Sequence, residues 1–290
     1  MNIVIGASGQ VGSNILKEIM RRDLPVRAVV RDPAKLSEKN VETRTADLFN
    51  LEQLTQALQG GTCVFLLTPE NPASNDIIGE TKHVVDNYKK AIQDSGIKKV
   101  IGLSCVGAQI EDNTGNILMS RMLEEGISAL DVQKVFVRPS YYYSNWLGFL
   151  ETMKQYGVLP TFFPDNLKID MNSPLDVAAC IAGIIIKDAF SEDEKVIELT
   201  GPEKYNSLEV AGTFSKLLNK NIEAQPIPKE KWNETLKSAG FTENTAANLS
   251  DMTRAVIDHI AVLENPNKAV KLPSDLHQYL KDQLKNGEPI

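Results

Sequence analysis

The sequence predicts an α/β fold: a doubly wound parallel sheet covered by helices, followed by a smaller, mainly helical C-terminal domain. Three observations predict it. Short apolar runs alternate with amphipathic stretches through the first half, a glycine-rich turn follows the first of those runs, and after Pro139 the texture changes to aromatic residues broken by prolines.

Taken in order, strands are expected at Asn2–Ile5, Val26–Val30, Glu42–Thr45, Cys63–Leu67, Lys99–Leu103 and near Val132–Val137, short runs rich in β-branched residues. Between the first two, Val11, Ile15, Leu16, Ile19 and Met20 recur at helical spacing. Leu51–Leu58 and Ile77–Ile92 read as further crossover helices. The run Tyr141-Tyr142-Tyr143-Ser144-Asn145-Trp146 and the segment Thr161-Phe162-Phe163-Pro164 open a second region. Ser173-Pro174-Leu175-Asp176 then starts a helix, with Pro at an early helical position and the apolar run Val177–Ile186 behind it, and Val196–Thr200 followed by Gly201-Pro202 reads as a strand and turn. Later, Leu249, Met252, Val256, Ile260 and Leu263 share one helical stripe. The expected division is residues 1–140 as the nucleotide-binding domain, with a return segment at about 173–200, and residues 141–290 as a discontinuous, smaller substrate-side domain.

Composition excludes several classes. The 290 residues suffice for one large or two modest domains, and 42% hydrophobic content excludes a disordered chain. Thirty-one basic against 38 acidic residues, a net charge of −7 without a dense Lys/Arg stripe, argue against nucleic-acid binding. No apolar run approaches the roughly 20 residues that span a bilayer. The N-terminus enters a strand pattern at once without an export signal, so a cytoplasmic protein is expected. Cys63, Cys105 and Cys180 read as reduced thiols, with Cys105, beside Ser104, a packed side chain or, as the alternative, a redox thiol. His83, His259 and His277 lack ligand spacing, so no metal site is expected.

The most informative segment is Val4-Ile5-Gly6-Ala7-Ser8-Gly9-Gln10-Val11-Gly12, a strand, a glycine-rich turn and a helix start in succession. Gly6 allows the tight turn, Gly9 the approach of a pyrophosphate, and Gly12 close packing of helix on strand, while the helix N-terminus offers free N–H groups to phosphates. This is the pattern of a Rossmann dinucleotide site. At the end of the second strand Arg31 and Lys35 form a cationic pair suited to a 2′-phosphate, which favours NADP(H) over NAD(H); the alternative is that both are surface charges and Asp32 takes the 2′-hydroxyl of NAD. Asp47 either faces the adenine or caps the next helix. Leu67-Thr68-Pro69 and Ser104 end later strands at the same sheet edge and are expected along the nicotinamide side.

Together with Val30-Arg31-Asp32-Pro33, Ala46-Asp47-Leu48, Phe65-Leu66-Leu67-Thr68-Pro69, Gly102-Leu103-Ser104-Cys105-Val106-Gly107-Ala108, Val137-Arg138-Pro139, Asp176-Val177-Ala178 and Leu199-Thr200-Gly201-Pro202, that loop resembles the NmrA-like branch of the atypical short-chain dehydrogenases/reductases. The resemblance implies an NAD(P)-binding Rossmann domain with substrate in the cleft beside a small C-terminal domain. It also exposes a departure, because no tyrosine here is followed four residues later by lysine, the pair that exchanges a proton with a carbonyl in typical members. Asn116 stands by approximate spacing where related reductases place lysine or histidine, and an amide cannot supply a proton. The catalytic candidates that remain are Ser104, Asn116 and Tyr142, with Tyr141, Tyr142, Tyr143, Asn145 and Trp146 either lining a substrate pocket or packing between domains. The expected function is an NADP(H)-dependent reductase of a small electrophile such as a quinone or enone. The alternatives are a non-enzymatic redox sensor that acts on a regulatory protein and, third, a nucleotide-sugar epimerase.

Overall fold

The computed structural model describes residues 1–187 and 195–286; residues 188–194 of the expected return segment and residues 287–290 of the expected C-terminal domain lie outside the described residues. Six strands alternate with helices from the N-terminus: β1 (Asn2–Ile5), α1 (Gln10–Met20), β2 (Val26–Val30), β3 (Glu42–Thr45), α2 (Leu51–Leu58), β4 (Cys63–Leu66), α3 (Ile77–Ser95), β5 (Lys99–Leu103), α4 (Ile117–Ser128) and β6 (Gln133–Pro139). The second half supplies β7 (Tyr141–Tyr142), α5 (Leu150–Tyr156), β8 (Val158–Thr161), β9 (Ile169–Asn172), α6 (Pro174–Ile186), β10 (Val196–Thr200), β11 (Lys204–Tyr205), α7 (Ser207–Leu218), β12 (Glu223–Pro226), α8 (Trp232–Ser238), α9 (Glu243–Ile257), β13 (Val270–Lys271) and α10 (Leu276–Asn286).

The main sheet runs β13-β10-β6-β5-β4-β1-β2-β3, and every pairing within it is parallel. Alternate side chains of each strand feed opposite apolar layers, as the period of two requires. Val4, Ala28, Val30, Phe65, Ile101, Val135, Val137 and Leu199 pack under α1 and α6. Ile3, Ile5, Val29, Val64, Leu66, Val100 and Phe136 pack under α2, α3 and α4. The apolar α6 is thereby drawn onto the main sheet, which β10 then extends beyond β6. Ser173 caps α6 by accepting from the Asp176 N–H, and Asp176 in turn accepts from the Ser274 N–H and hydroxyl, both at 2.9 Å.

A third apolar cluster joins Tyr143, Trp146, Met153, Leu159, Phe163, Met171, Phe214 and Leu280 beside the sheet's carboxyl edge. Two small sheets frame it, β11-β9-β7 and β12-β8, so this region carries more strand than its sequence texture suggests. The stripe expected through Leu263 is shorter in the fold. α9 stops at Ile257, His259 takes a left-handed φ of 55°, and the Ile260 N–H turns back to the Ala255 carbonyl at 2.9 Å. Ile260 is exposed beyond the helix, and the buried face of α9 is made of Thr245, Ala246, Ser250, Thr253 and Ala255.

Candidate functional site

The reversal of strand order falls between β1 and β4, and the turn leaving β1 opens at that point of the carboxyl edge. Gly6 has a φ of +67°, a conformation that side chains disfavour, and its carbonyl accepts from the Gly9 N–H at 2.9 Å. A Cβ on Gly12 would lie 2.3 Å from the Gly6 carbonyl oxygen, so only glycine lets α1 start this close to β1. Ala7 and Val11 are buried in the layer beneath, whereas Ser8, Gly9 and Gln10 are exposed. No side chain caps α1 and no acidic residue occupies its first turn, while α2, α3, α6, α7 and α9 are capped by Asn50, Asp76, Ser173, Asn206 and Thr242. The α1 N-terminus therefore presents its amides and positive dipole end to an anion. Gln10 also accepts from the Ser144 hydroxyl at 3.2 Å, tying the loop to the aromatic region.

Arg31 and Lys35 follow β2 on the surface, and among the described residues neither forms an ion pair. Asp32 is exposed, and one carboxylate oxygen accepts from the Ala34 N–H at 2.9 Å, capping the tight turn at Pro33–Lys35. Asp47 does not cap α2. It closes a local turn by accepting from the Phe49 N–H at 3.0 Å, and the cap is Asn50, which accepts from the Gln53 N–H.

Leu67 backs the glycine turn, and its carbonyl accepts from the buried Tyr88 phenol at 2.9 Å. Thr68 and Pro69 follow along the same edge, increasingly exposed. Ser104 is 5% exposed, and its hydroxyl donates to Glu124 at 2.5 Å. Glu124 is itself held in a two-pronged pair by Arg138, with Nε–Oε1 at 2.8 Å and Nη2–Oε2 at 2.7 Å, and Arg138 reaches Glu264 at 2.6 Å. Ser104 thus anchors a buried ionic network and has its hydroxyl proton committed there. Neither Glu124 nor the network was legible in the sequence beyond the motif containing Arg138.

The aromatic run divides. Tyr143 and Trp146 are 0% and 1% exposed: the Tyr143 hydroxyl donates to the Ser274 carbonyl, its ring meets Tyr205 and Tyr279, and the Trp146 indole donates to Met171 Sδ. These two belong to the core and not to a pocket wall, because large rings with satisfied polar ends gain most by full burial. Tyr141 and Tyr142 are half-buried, and Asn145 is exposed beside the Tyr141 phenol. The Tyr142 hydroxyl is buried without a hydrogen-bond partner, and burial raises its pKa far above the ordinary phenol value.

Near Tyr142 lies Cys105, whose thiol is pushed up to about 12 by burial, with Glu124 and Glu70 adding to the effect; a reactive thiolate has no support there. Asn116 is 7% exposed at the α4 start, and its side-chain carbonyl oxygen has no partner. Beside it stands Glu70, an exposed residue. Loss of hydration on its protein-facing side raises its carboxyl above the usual range, and the Asn116 amide opposes the rise. Helix α9 walls this edge: its Thr242 N–H donates to the Pro72 carbonyl, its Asn244 side chain accepts from the Ile77 N–H, and its Asn248 carbonyl accepts from the Asn116 N–H. Glu70 carried no motif, and its approach to Asn116 arises only when the β4 and β5 crossovers fold against each other.

Chemically, the arrangement combines an anion-receptive helix start, two cations at the β2 end and a carboxyl–amide pair across the β4 and β5 loops. The glycine cradle, which a Cβ at residue 12 would fill, fits a dinucleotide pyrophosphate. Among the described residues no cluster of three or more His, Cys, Asp or Glu side chains is placed to hold a metal, and no helix is long and apolar enough to cross a membrane.

Comparison with known proteins gives consistent results. The model of the NmrA-like family matches residues 2–280. The NAD(P)H azoreductase of Xenophilus azovorans is 24% identical over 282 residues, covering 94% of each chain. An NADPH-dependent quinone oxidoreductase of Escherichia coli, solved in complex with NADPH, superposes with a TM-score of 0.78 at 23% identity, covering 98% of this chain and 100% of that one. A nucleoside-diphosphate-sugar epimerase of Staphylococcus aureus superposes with a TM-score of 0.79 at 20% identity, covering 97% and 99%.

Proposed function

Because this chain belongs to the NmrA-like family, we propose that it binds NADP(H) and reduces a small conjugated electrophile of the quinone or enone type. The observation that carries the reading is the uncapped α1 start behind Gly6, Gly9 and Gly12, at the strand-order reversal where open α/β sheets bind ligands. In this reading residues 1–140 with the return segment form the nucleotide-binding part. The amides after Gly9 bind the pyrophosphate, and Arg31 and Lys35 neutralise the 2′-phosphate. One Asp32 oxygen is taken up by its own turn, and the two cations flank that corner. Leu67, Thr68 and Pro69 line the nicotinamide side, and Tyr141, Tyr142 and Asn145 bound the substrate. The bound cofactor supplies a hydride. A conjugated acceptor suits a site whose serine is tied to Glu124 and which lacks the Tyr/Lys pair, since such an acceptor does without the acidified phenol that polarises a simple carbonyl.

Two relatives bear on the choice: the azoreductase and the quinone oxidoreductase are both named for reducing conjugated acceptors with a nicotinamide cofactor. The test is anaerobic consumption of NADPH by purified protein with a panel of quinones, enones and azo compounds. The expected result is turnover of about 1 s⁻¹ or faster with at least one acceptor. Tight NADPH binding without consumption by any of them contradicts the reductase and favours the redox sensor with a regulatory protein partner.

A further inference from the structure

The reductase reading leaves open where the proton that accompanies the hydride comes from. Glu70 lies two residues beyond Thr68, on the edge assigned above to the nicotinamide, and the Asn116 amide stands against it. Both loops are fastened to one helix: the Glu70 loop through Pro72 and Ile77, and the Asn116 turn through Asn248 of α9. The pair is therefore held in register by three hydrogen bonds, two between backbone groups and one to the Asn244 side chain. Asn116 is more than nine-tenths buried, and its side-chain oxygen has no donor. A carboxylate can only accept from the Asn116 amide N–H, which leaves that oxygen orphaned. A carboxylic acid can donate, and an amide turned about its last bond would accept. The site is thus built to tolerate a carboxyl that carries a proton.

We propose that Glu70, positioned by Asn116, is the proton donor to the acceptor reduced at this site; the inference rests on the reductase reading. The acceptor, a quinone in the simplest case, takes a hydride from the cofactor and a proton from the Glu70 carboxyl. The Glu70 O–H bond breaks as an O–H bond of the hydroquinone forms, the acceptor gains two electrons, the cofactor loses them, and water returns the proton to Glu70. The other titratable groups around Glu70 do not compete. Burial makes the Cys105 thiol and Tyr142 phenol weaker acids, Glu124 is paired with Arg138, and Glu80 of α3 accepts from neighbouring Asn71.

The experiment compares wild type with Glu70→Gln, reading kcat against pH with NADPH and a water-soluble naphthoquinone, NADPH affinity, and thermal unfolding of the apo protein from pH 4 to 9. Glu70 ionises in the fold at higher pH than in the unfolded chain. Wild type therefore loses stability relative to the variant as pH rises from the ordinary carboxylate range through the folded pKa, and the two converge at low pH. In the same window wild-type kcat is flat at low pH and falls as the acid ionises. The variant is expected to keep its NADPH affinity, lose about 100-fold in kcat and lose that pH limb. Wild-type turnover with kcat and pH limb unchanged in the variant overturns the inference alone. A stability difference that does not vary with pH also overturns it, because Glu70 then has no raised pKa. Absence of turnover in both proteins overturns the reductase reading and the inference with it.

Discussion

Replacing Arg138 by methionine lowers the free energy of unfolding by about 3–5 kcal/mol, measured by urea titration, because it leaves the Glu124 carboxylate buried without its partner. The two side chains are 5% and 12% exposed and share two hydrogen bonds under 2.9 Å, so water can replace little of what is lost. The Ser104 hydroxyl still donates to Glu124, but one neutral donor does not balance a buried charge. Glu264 contributes less, being about half exposed at 46%. The double variant Arg138→Met with Glu124→Leu is expected to recover most of the loss, since well-packed apolar groups often replace a buried ion pair at little net cost. A single variant within about 1 kcal/mol of wild type contradicts this account of the network. The loss extends beyond the sheet, because Arg138 holds Glu264 while the adjacent Glu198 accepts from the Glu264 and Asn265 N–H groups at 2.8 and 2.7 Å. This pins the segment that follows α9 across the carboxyl edge.

Gly12→Ala is expected to weaken NADPH binding at least 100-fold, about 2.7 kcal/mol, and to cost about 1–3 kcal/mol of stability from overpacking. The added methyl would sit 2.3 Å from the Gly6 carbonyl oxygen and 2.8 Å from its carbon, so the turn or the helix must move. Gly9→Ala separates the two effects. Its Cβ would meet only the Gly6 oxygen at 3.3 Å, a contact relieved by a small shift, so stability should stay near wild type while the methyl occupies the approach of the pyrophosphate. Calorimetry and thermal unfolding on the same samples distinguish these outcomes. A Gly9→Ala protein that binds NADPH as wild type does contradicts the placement of the phosphates.

What the sequence made legible follows from how local each signal is. The β1 turn and α1 are contiguous in the chain, so strand, glycines and amphipathic helix could be read together, and the edge charges Arg31 and Lys35 lie within thirty residues of them. The apolar run after Ser173-Pro174 announced α6, and its return to the main sheet follows from having no polar face to expose. Elsewhere the local signal misled. Ile260 and Leu263 continue the helical spacing of Leu249, Met252 and Val256, but the left-handed His259 ends the helix first. Asp47 has the composition of a cap, yet Asn50 lies at the position whose side chain can reach the free amide. In the aromatic run, composition could not tell Tyr143 and Trp146, which fill the third core cluster, from Tyr141 and Tyr142, which are half-buried, and Asn145, which is exposed. The least legible feature was the meeting of Glu70, Asn116 and α9. It depends on side chains and backbone groups distant in the chain, brought together only by the crossovers and by the docking of α9 on both loops.

The most direct measurement is calorimetric titration of the apo protein with NADPH and NADH, repeated on the Arg31→Ala/Lys35→Ala double variant. The account predicts that wild type binds NADPH at least tenfold more tightly than NADH, and that the double variant loses this preference while keeping its affinity for NADH. Equal or tighter binding of NADH by wild type, or failure to bind either dinucleotide, would contradict it.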